Sequence, residues 1–328
     1  MKLSLQRLLC LFLLSFMAFF AVSACGRNLD RTNPPSPEQL TQDCRVVQHV
    51  MGETCIPQDL QRVVTLRPDH FANSFALGIE PVASVFAEGF PFPKDIQNEV
   101  SNVESVGDYS APNLEKILQL KPDLIIANSR LEGIYEDLSR IAPTVVIDLP
   151  YPPPSWKKQL ETLATFLGKE EASQQLIDNY RQRIENIKHA LGPQLDQLEV
   201  SVANSSLEHG IWVLGEDHFV GEVLNDIGLQ RPPSQRGDFF YIDNISKEKL
   251  SDIDGDVLFF VSMGREQDEE YQEELREDPL WQKLNTVQND RVYFVDGYWQ
   301  EAGSILAINA VLDDIKKYLV GGSLGTSN

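Results

Sequence analysis

The sequence is short of basic residues. Its 328 residues include 28 lysines and arginines against 49 aspartates and glutamates, which gives a formal net charge of −21. Nucleic acids and anionic lipid surfaces attract proteins through basic patches. The acidic balance therefore argues against both as partners. It does not restrict the charge of a small ligand, which responds to the few groups that line its own pocket.

The sequence also lacks the motifs of common hydrolytic and nucleotide-binding enzymes. It contains no Gly-x-Ser-x-Gly, no His-Glu-x-x-His and no P-loop, and its five histidines are scattered. These absences favour a binding protein without catalytic residues, resident metal or cofactor. Direct capture of a metal ion by His70 and His218 is a minority alternative.

Long apolar runs are absent after the N-terminus. Lys2 and Arg7 precede one run, which continues to Ala24 and ends in the small residues of Val-Ser-Ala before Cys25. A basic start, an apolar stretch and small residues are typical of a secretory signal, and the final motif resembles the lipobox of bacterial lipoproteins. We therefore expect residues 1–24 to be a signal peptide and Cys25 to carry lipid. A transmembrane anchor is the weaker alternative, because the run is short for a bilayer.

Cysteine is scarce, with four in the chain. Once Cys10 leaves with the signal peptide and Cys25 is acylated, Cys44 and Cys55 remain. Outside the cytoplasm, such a pair predicts a disulfide across a strand, a turn and a returning strand. A metal site that includes His49, between the two cysteines, is the alternative, although no fourth ligand stands at a recognisable spacing.

The rest of the chain alternates short apolar runs with helical patterns. Residues 25–43 are polar and rich in proline and asparagine, as in a tether. Strands are predicted at residues 62–66, 81–85, 124–127 and 144–147, and helices at 69–77, 113–120 and 134–141. Apolar strands between helices predict a parallel sheet that is covered on both faces.

The second half repeats this pattern at an offset of 133 residues. Glu115, Lys116 and Asp123 match Glu248, Lys249 and Asp256 at that offset. Helical periodicity fills the region between the halves, ending in a predicted helix at 169–191. We therefore predict an N-terminal lobe at 44–154, connecting helices at 155–192 and a C-terminal lobe at 193–328.

These segments together resemble the iron–siderophore and cobalamin family of periplasmic binding proteins, the class with a helical backbone. The resemblance covers about residues 62–319 and is carried by VGDYSAPNLEKILQLKPDLIIA (106–127), IAPTVVI (141–147) and LWQKLNTVQNDRVYFVD (280–296). It implies an α/β fold of two Rossmann-like lobes with mainly parallel sheets, joined by one long backbone helix. The ligand site is then the cleft between the lobes.

A ferric siderophore brings iron that is already coordinated, so its binding protein needs aromatic walls and a few Arg or hydroxyl groups. The strand-to-helix loops and the resemblance give the following candidates: Arg67, Phe86, Tyr109, Ser110, Trp212, Arg236, Phe239, Phe240, Tyr241, Arg265 and Trp299. Tyr109 stands where hydroxamate-binding relatives carry an arginine, which argues against a hydroxamate ligand. Each candidate aromatic residue has packing in the core as its alternative.

The resemblance further implies a monomeric substrate-binding lipoprotein of an ABC importer, lipid-anchored on a bacterial membrane and facing the periplasm or the cell exterior. Its ligand is a ferric siderophore, with cobalamin or haem as the alternatives. Family members engage arginines of the permease dimer through one acidic residue on each lobe. The matching positions here are Glu115 and Glu222.

Overall fold

The computed structural model describes residues 44–86, 90, 92–97, 100 and 103–321. By its contacts the chain divides into Met1–Cys44, of which only Cys44 is described, and a compact unit, Arg45–Asn328. The predicted signal peptide, tether and lipidated Cys25 lie outside the described residues. Because both predicted lobes fall inside the second unit, their boundaries remain a prediction.

The described part begins with a β-hairpin of strands β1 (Cys44–His49) and β2 (Gly52–Pro57). Both Cys44 and Cys55 are disulfide-bonded. His49 Nε2 contacts the Thr54 hydroxyl at 2.8 Å, and His49 Nδ1 accepts a hydrogen bond from the Met51 amide at 3.2 Å. Neither ring nitrogen is therefore free to bind a metal. The arrangement does not support the alternative of a metal site here.

The first lobe is built on a parallel sheet. The strands up to residue 147 are β3 (Val63–Thr65), β4 (Ala83–Ser84), β5 (Glu104–Ser105), β6 (Gly107–Asp108), β7 (Ala111–Pro112), β8 (Leu124–Asn128) and β9 (Thr144–Ile147). Five of them form one parallel sheet in the order β5-β4-β3-β8-β9, and β6 and β7 form a separate hairpin. Every residue of β3, β8 and β9 is buried, as expected for strands covered on both faces.

The helices of the first lobe are α1 (Pro68–Ala76), α2 (Leu114–Leu120) and α3 (Tyr135–Ile141), with shorter helical turns at Lys94–Ile96 and Ser129–Ile134. Each α-helix lies within one residue of its predicted position. Asn113 caps α2 by accepting a hydrogen bond from the Lys116 amide at 3.0 Å. Pro68 occupies the first turn of α1, where its missing N–H costs nothing.

Two consecutive helices follow, α4 (Trp156–Leu167) and α5 (Glu170–Leu191). Gly168, at φ +66°, permits the sharp turn between them. The 22 residues of α5 span about 33 Å at 1.5 Å per residue, as predicted from the periodicity. Its buried stripe (Ile177, Tyr180, Ile184, Ile187) belongs to the main hydrophobic core, which also takes in residues of both sheets.

The second lobe has a mixed sheet. Its strands are β10 (Val200–Ser206), β11 (Gly210–Leu214), β12 (Tyr241–Ile245), β13 (Val257–Ser262) and β14 (Val292–Asp296), in the order β12-β11-β10-β13-β14. The last three strands of that order are mutually parallel, whereas β11 runs antiparallel to both of its neighbours.

The helices of the second lobe are α6 (Phe219–Ile227), α7 (Glu266–Glu277), α8 (Asn285–Gln288) and α9 (Ile305–Ile315), with shorter turns at Gly192–Gln194, Pro233–Gln235, Lys247–Ile253, Trp281–Lys283 and Gly297–Trp299 and a π-helical end at Lys316–Gly321. The predicted fold class is confirmed: two α/β lobes with mainly parallel sheets, connected by a long helix. Within the part of the chain that the structure describes, no helix has the length and apolar character needed to cross a bilayer.

Candidate ligand-binding cleft

A cavity of about 440 Å³ lies between the two lobes. The first lobe contributes Arg67, Tyr109, Arg130, Leu149 and Tyr151, and the second contributes Trp212, His218, Phe240, Tyr241, Arg265 and Glu301. Most of these residues follow the carboxyl ends of parallel strands: Arg67 follows β3, Arg130 follows β8, and Arg265 follows β13. Ligands of open α/β sheets bind at these strand ends, so the topology itself places the cleft here.

Arg67 anchors the wall of the first lobe. Its Nε and Nη2 atoms donate to Oδ1 and Oδ2 of Asp69 at 2.7 and 3.0 Å, in a bidentate pair with the carboxylate almost fully buried. Burial alone would raise the pKa of Asp69, but the charge of Arg67 holds that pKa below its ordinary value. Arg67 is therefore a fixed cation whose charge is largely balanced.

Tyr109 lies at the tip of the β6–β7 hairpin and is 48% exposed. The turn around it is fixed by the Asp108 carboxylate, which accepts from the amide and the hydroxyl of Ser110 at 2.9 and 2.7 Å. The phenol of Tyr109 can therefore offer a flat face to a ligand with little loss of backbone freedom. Ser110 is occupied by this turn and does not line the cavity.

Aromatic rings from both lobes meet in the wall of the cleft. The ring centroid of Tyr151, from the first lobe, lies 6.3 Å from that of Phe240 and 6.4 Å from that of Tyr241, both from the second lobe. Tyr151 and Tyr241 are largely exposed, which leaves their faces available for a large ligand.

Trp212 forms part of the wall of the second lobe from strand β11. Its indole N–H donates to Oε1 of Gln300 at 3.2 Å, and the same oxygen accepts from the Asn204 amide. The indole is thereby held in one orientation beside the cavity, with 8% of the residue exposed. Trp212 thus agrees with both predictions from the sequence: it is a strand residue, and it also lines the cleft.

The two histidines proposed for metal capture do not form a metal site. His218 Nδ1 accepts from the Val220 amide at 3.2 Å, so its other nitrogen carries the proton and donates to the Gln300 carbonyl, also at 3.2 Å. Burial lowers the pKa of His218 to about 3 and that of His70 to about 4, so both are neutral. His70 does not line the cavity. Among the described residues, no three His, Cys, Asp or Glu side chains are grouped to hold an ion.

Six of the eleven predicted ligand residues line the cavity: Arg67, Tyr109, Trp212, Phe240, Tyr241 and Arg265. For the others the structure corrects the prediction. Besides Ser110, these include Phe86, which packs edge-on against Phe71 and Phe92 at 5.3 Å in an aromatic cluster of the first lobe. Arg236 donates to the Arg231 carbonyl at 2.6 Å and to Glu199 at 2.8 Å, in an ion pair away from the cavity.

Two aromatic predictions pack away from the cavity, Trp299 in the core and Phe239 partly buried against it. Trp299 is fully buried, stacks on Phe259 at 4.5 Å and donates from its indole to Asp314 at 2.9 Å. Phe239 packs over Gly215, where a Cβ atom would stand only 2.4 Å from the Phe239 ring. Glycine at 215 is what admits the ring there, because any side chain at that position would collide with it. Phe240 is therefore the ring that reaches the cleft.

Sequence reasoning missed Arg130, Tyr151, Gln300 and Glu301 as lining residues. A signal for Arg130 was available: it stands two residues after the buried run Leu124–Asn128, in the loop at the end of that strand. Gln300 and Glu301 lie directly after Trp299. The prediction therefore names the correct segment of the cleft but the wrong residue within it.

The fold and the cleft define a two-lobed binding protein. The sequence profile of the Periplasmic binding protein family matches residues 63–298, and the chain belongs to this family. It is 32% identical over 317 residues to a Bacillus subtilis (strain 168) protein named probable siderophore-binding lipoprotein YfiY, covering 93% of this chain and 95% of that one.

A second relative from Bacillus subtilis (strain 168), the Fe(3+)-citrate-binding protein YfmC, is 29% identical and is matched over 89% of this chain and 90% of its own length. Among solved structures, Staphylococcus aureus SirA complexed with staphyloferrin B superposes with a TM-score of 0.70 at 28% identity, covering 84% of this chain and 98% of that one.

Proposed function

We propose that this chain is the substrate-binding protein of an ABC importer and that it captures a ferric siderophore of the carboxylate type. One observation carries the proposal: the interlobe cavity combines aromatic faces from both lobes with three guanidinium groups. Iron inside a siderophore is already coordinated, so the protein supplies no metal ligands. It contacts the organic shell, for which stacking surfaces and arginines are the suitable groups.

The charges of the cleft favour carboxylate groups on the ligand. Arg67 is already paired with Asp69, whereas neither Arg130 nor Arg265 forms an ion pair with another described residue. These two arginines come from opposite lobes. Guanidinium groups bind carboxylates in a bidentate manner, so a ligand with peripheral carboxylates can bridge the lobes and favour closure.

The names of the relatives agree with this assignment. One is named for siderophore binding and another for Fe(3+)-citrate, and SirA was solved with staphyloferrin B. In this proposal the chain is not an enzyme and holds no cofactor. It is exported, lipid-anchored through Cys25 to a bacterial membrane, and monomeric, and it delivers its ligand to a permease dimer.

Ligand binding is tested by quenching of intrinsic fluorescence, for which Trp212 is a reporter within the cleft. The panel contains ferric complexes of citrate-based, catecholate and hydroxamate siderophores, together with haem and cobalamin. We expect the citrate-based complexes to bind most tightly. Tightest binding of haem or cobalamin would replace the proposed ligand, and no binding by any member would overturn the function.

Tyr109→Ala and Arg265→Ala should each weaken binding of the preferred complex by about 1–3 kcal/mol without lowering the melting temperature, since both side chains are exposed. Matched controls are Phe294→Ala, a similarly exposed ring, and Arg181→Ala, an exposed arginine on α5, both outside the cavity. Equal losses in the controls would show that the cleft is not the site.

Glu115 and Glu222 are the proposed permease contacts. Both lie in the first turn of a helix, α2 and α6 respectively. Glu115 is exposed, whereas Glu222 is half-buried beside Lys157 and Asp226, and burial raises its pKa to about 7. First-turn glutamates also stabilise their own helices, so position alone does not establish docking.

The docking proposal is tested by Glu115→Arg and Glu222→Arg, singly and together. We expect uptake to fall, most in the double variant, with ligand affinity intact, because like charges would then meet at the permease. Glu171→Arg, at an exposed first-turn position of α5, is the matched control. Unimpaired uptake by the double variant would end the docking proposal.

A further inference from the structure

The backbone of Gln300 is fixed on both sides. It follows the turn Gly297–Trp299, whose side chains are tied to Asp314 of helix α9 by two hydrogen bonds of 2.6 and 2.9 Å. The Gln300 amide donates to the Gly297 carbonyl at 3.0 Å, and the Gln300 carbonyl accepts from Nε2 of His218 at 3.2 Å. Both backbone polar groups of Gln300 are thus paired, and the residue lines the cavity.

Two side chains of the second lobe hold the side-chain oxygen of Gln300. Asn204 of β10 and Trp212 of β11 stand directly opposite each other in the antiparallel pair, so their side chains share one face of the sheet. The Asn204 side-chain amide and the Trp212 indole both donate to Oε1 of Gln300, the indole at 3.2 Å. Oε1 thus accepts one hydrogen bond for each of its two lone pairs.

The chemistry of these donors fixes which end of the Gln300 amide faces them. An indole N–H can only donate, so the atom of Gln300 that faces Trp212 must be the oxygen. Asn204 leads to the same assignment, because its own Oδ1 accepts from the Ser205 amide at 2.6 Å and leaves Nδ2 to donate. A half-turn of the Gln300 amide would set its N–H groups against both donors. The amide is therefore locked in one orientation.

The nitrogen of the same amide is left for the cavity. Nε2 of Gln300 donates to no described residue, and it is not one of the described polar atoms that are buried without a partner. Because Gln300 lines the cavity beside Trp212, these N–H groups are open to the cleft. They are donors without a charge, unlike the guanidinium groups of the same cavity.

We infer that Gln300 is a specificity-determining residue of the cleft: its locked amide donates from Nε2 to an oxygen of the ligand that lies beside Trp212. The inference rests on the siderophore-binding function proposed above. Because the amide cannot turn, this place accepts a hydrogen-bond acceptor, such as a carboxylate oxygen, and rejects a donor. A ligand with an alkyl edge here would bury the N–H groups unpaired, which costs free energy.

Calorimetric titration of the full protein with ferric citrate tests the inference. Gln300→Met keeps the length of the side chain without the amide, and Trp212→Phe keeps a ring without the N–H. We expect Gln300→Met to weaken binding roughly tenfold to a hundredfold, the range of one hydrogen bond to a charged oxygen. The loss should be similar in the Trp212→Phe background, since Asn204 still holds Oε1 there.

A purely structural role for Gln300 predicts a different result. If Gln300 acts only by orienting Trp212, Gln300→Met has no effect once Trp212→Phe is present, and that result would overturn the inference. Gln300→Glu is the second variant, because its carboxylate can still accept from Asn204 and Trp212 but presents an oxygen where Nε2 stood. It should bind ferric citrate no more tightly than Gln300→Met does, and wild-type affinity in this variant would also overturn the inference.

The matched control is Gln272→Met, at a buried glutamine of α7 outside the cavity, whose Nε2 donates to the Val261 carbonyl at 3.0 Å. It should keep wild-type affinity, and an equal loss there would assign the losses at position 300 to the fold and overturn the inference. If wild type binds neither ferric citrate nor any other carboxylate complex, the proposed function itself fails. If wild type binds and Gln300→Glu binds equally well, only the role of Gln300 fails.

Discussion

The two lobes follow one sequence pattern but use it differently. The first lobe has an all-parallel sheet, whereas the second has one reversed strand, β11, which pairs antiparallel with β10 and with the edge strand β12. That arrangement brings Trp212 and Tyr241 to the cavity from within strands. The first lobe presents its ligand residues from loops. The second lobe therefore combines residues from strands with residues from loops in its wall of the cleft.

The repeat at an offset of 133 residues has a structural counterpart. Asp123 stands before β8 and accepts from the amides of Gln61 and Arg62 at 2.6 and 2.9 Å, at the start of β3. Asp256 stands before β13 and accepts from the Glu199 amide at 2.9 Å, at the start of β10. The two aspartates therefore fasten corresponding pairs of central strands.

The same repeat diverges in its helices. Ile117 and Leu250 correspond, and both are buried, but the first lies in the α-helix α2 and the second in the 3₁₀ helix Lys247–Ile253. An α-helix in one lobe and a tighter turn in the other bury the same apolar position. The two lobes thus share the buried apolar position but differ in the type of helix that carries it.

The largest expected effect concerns aromatic residues of the second lobe. Trp299→Ala should lower the free energy of unfolding by about 3–5 kcal/mol, because it removes a fully buried ring stacked on Phe259. Urea denaturation measures this. Phe86→Ala in the first lobe should cost less, since Phe86 is only partly buried. Unchanged stability with loss of ligand binding would instead place Trp299 in the site.

The disulfide is a feature of the N-terminal hairpin, which packs against the first lobe through a hydrogen bond from Thr54 to the Thr144 carbonyl at 2.8 Å. Replacing Cys44 and Cys55 by serine should cost about 2–4 kcal/mol, because a loop of about a dozen residues is no longer closed. Thermal unfolding of wild type and variant gives the difference. Two free thiols in wild type purified without reductant would contradict the pairing.

Glu222, in the second lobe, is expected to make the free energy of unfolding depend on pH. Burial raises its pKa from the ordinary 4.5 to about 7, so the native state holds a proton that the unfolded state has lost across this range. Stability from this group is present below pH 4.5 and is lost as pH rises to about 7. Glu222→Gln should remove that loss and add about 1–3 kcal/mol at pH 8.

Stability measured between pH 4 and 8 tests the prediction for Glu222. Glu115→Gln, at the other proposed docking position and in the first lobe, controls for the substitution itself. A variant at 222 whose stability still falls across this range like that of wild type would show that another group is responsible.

The smallest effect concerns the two matched aspartates. Asp123→Ala should cost about 1–2 kcal/mol and Asp256→Ala about 1 kcal/mol, since the first loses two backbone hydrogen bonds and the second loses one. Asp196→Ala, at an exposed position, is the control. If Asp256→Ala lowers the free energy of unfolding more than Asp123→Ala does, the two aspartates do not stabilise the protein in proportion to their backbone hydrogen bonds.

The sequence by itself determined the order of strands and helices. Buried runs such as residues 124–127 are apolar along their whole length, and Pro68, Gly168 and Gly192 mark helix ends through their own backbone preferences. These signals are local, because they depend on a few neighbouring residues. The predicted strands and helices of the first lobe accordingly lie within one or two residues of their observed bounds.

Tertiary structure alone decided which polar and aromatic side chains reach the cleft. Phe239 and Phe240 are identical in type and adjacent, yet Phe239 packs over Gly215, 24 residues earlier, and only Phe240 lines the cavity. Trp299 is buried because Phe259 and Asp314 receive it, and Glu301, two residues later, lines the site. Such choices depend on partners distant in sequence, which residue type and spacing do not encode locally.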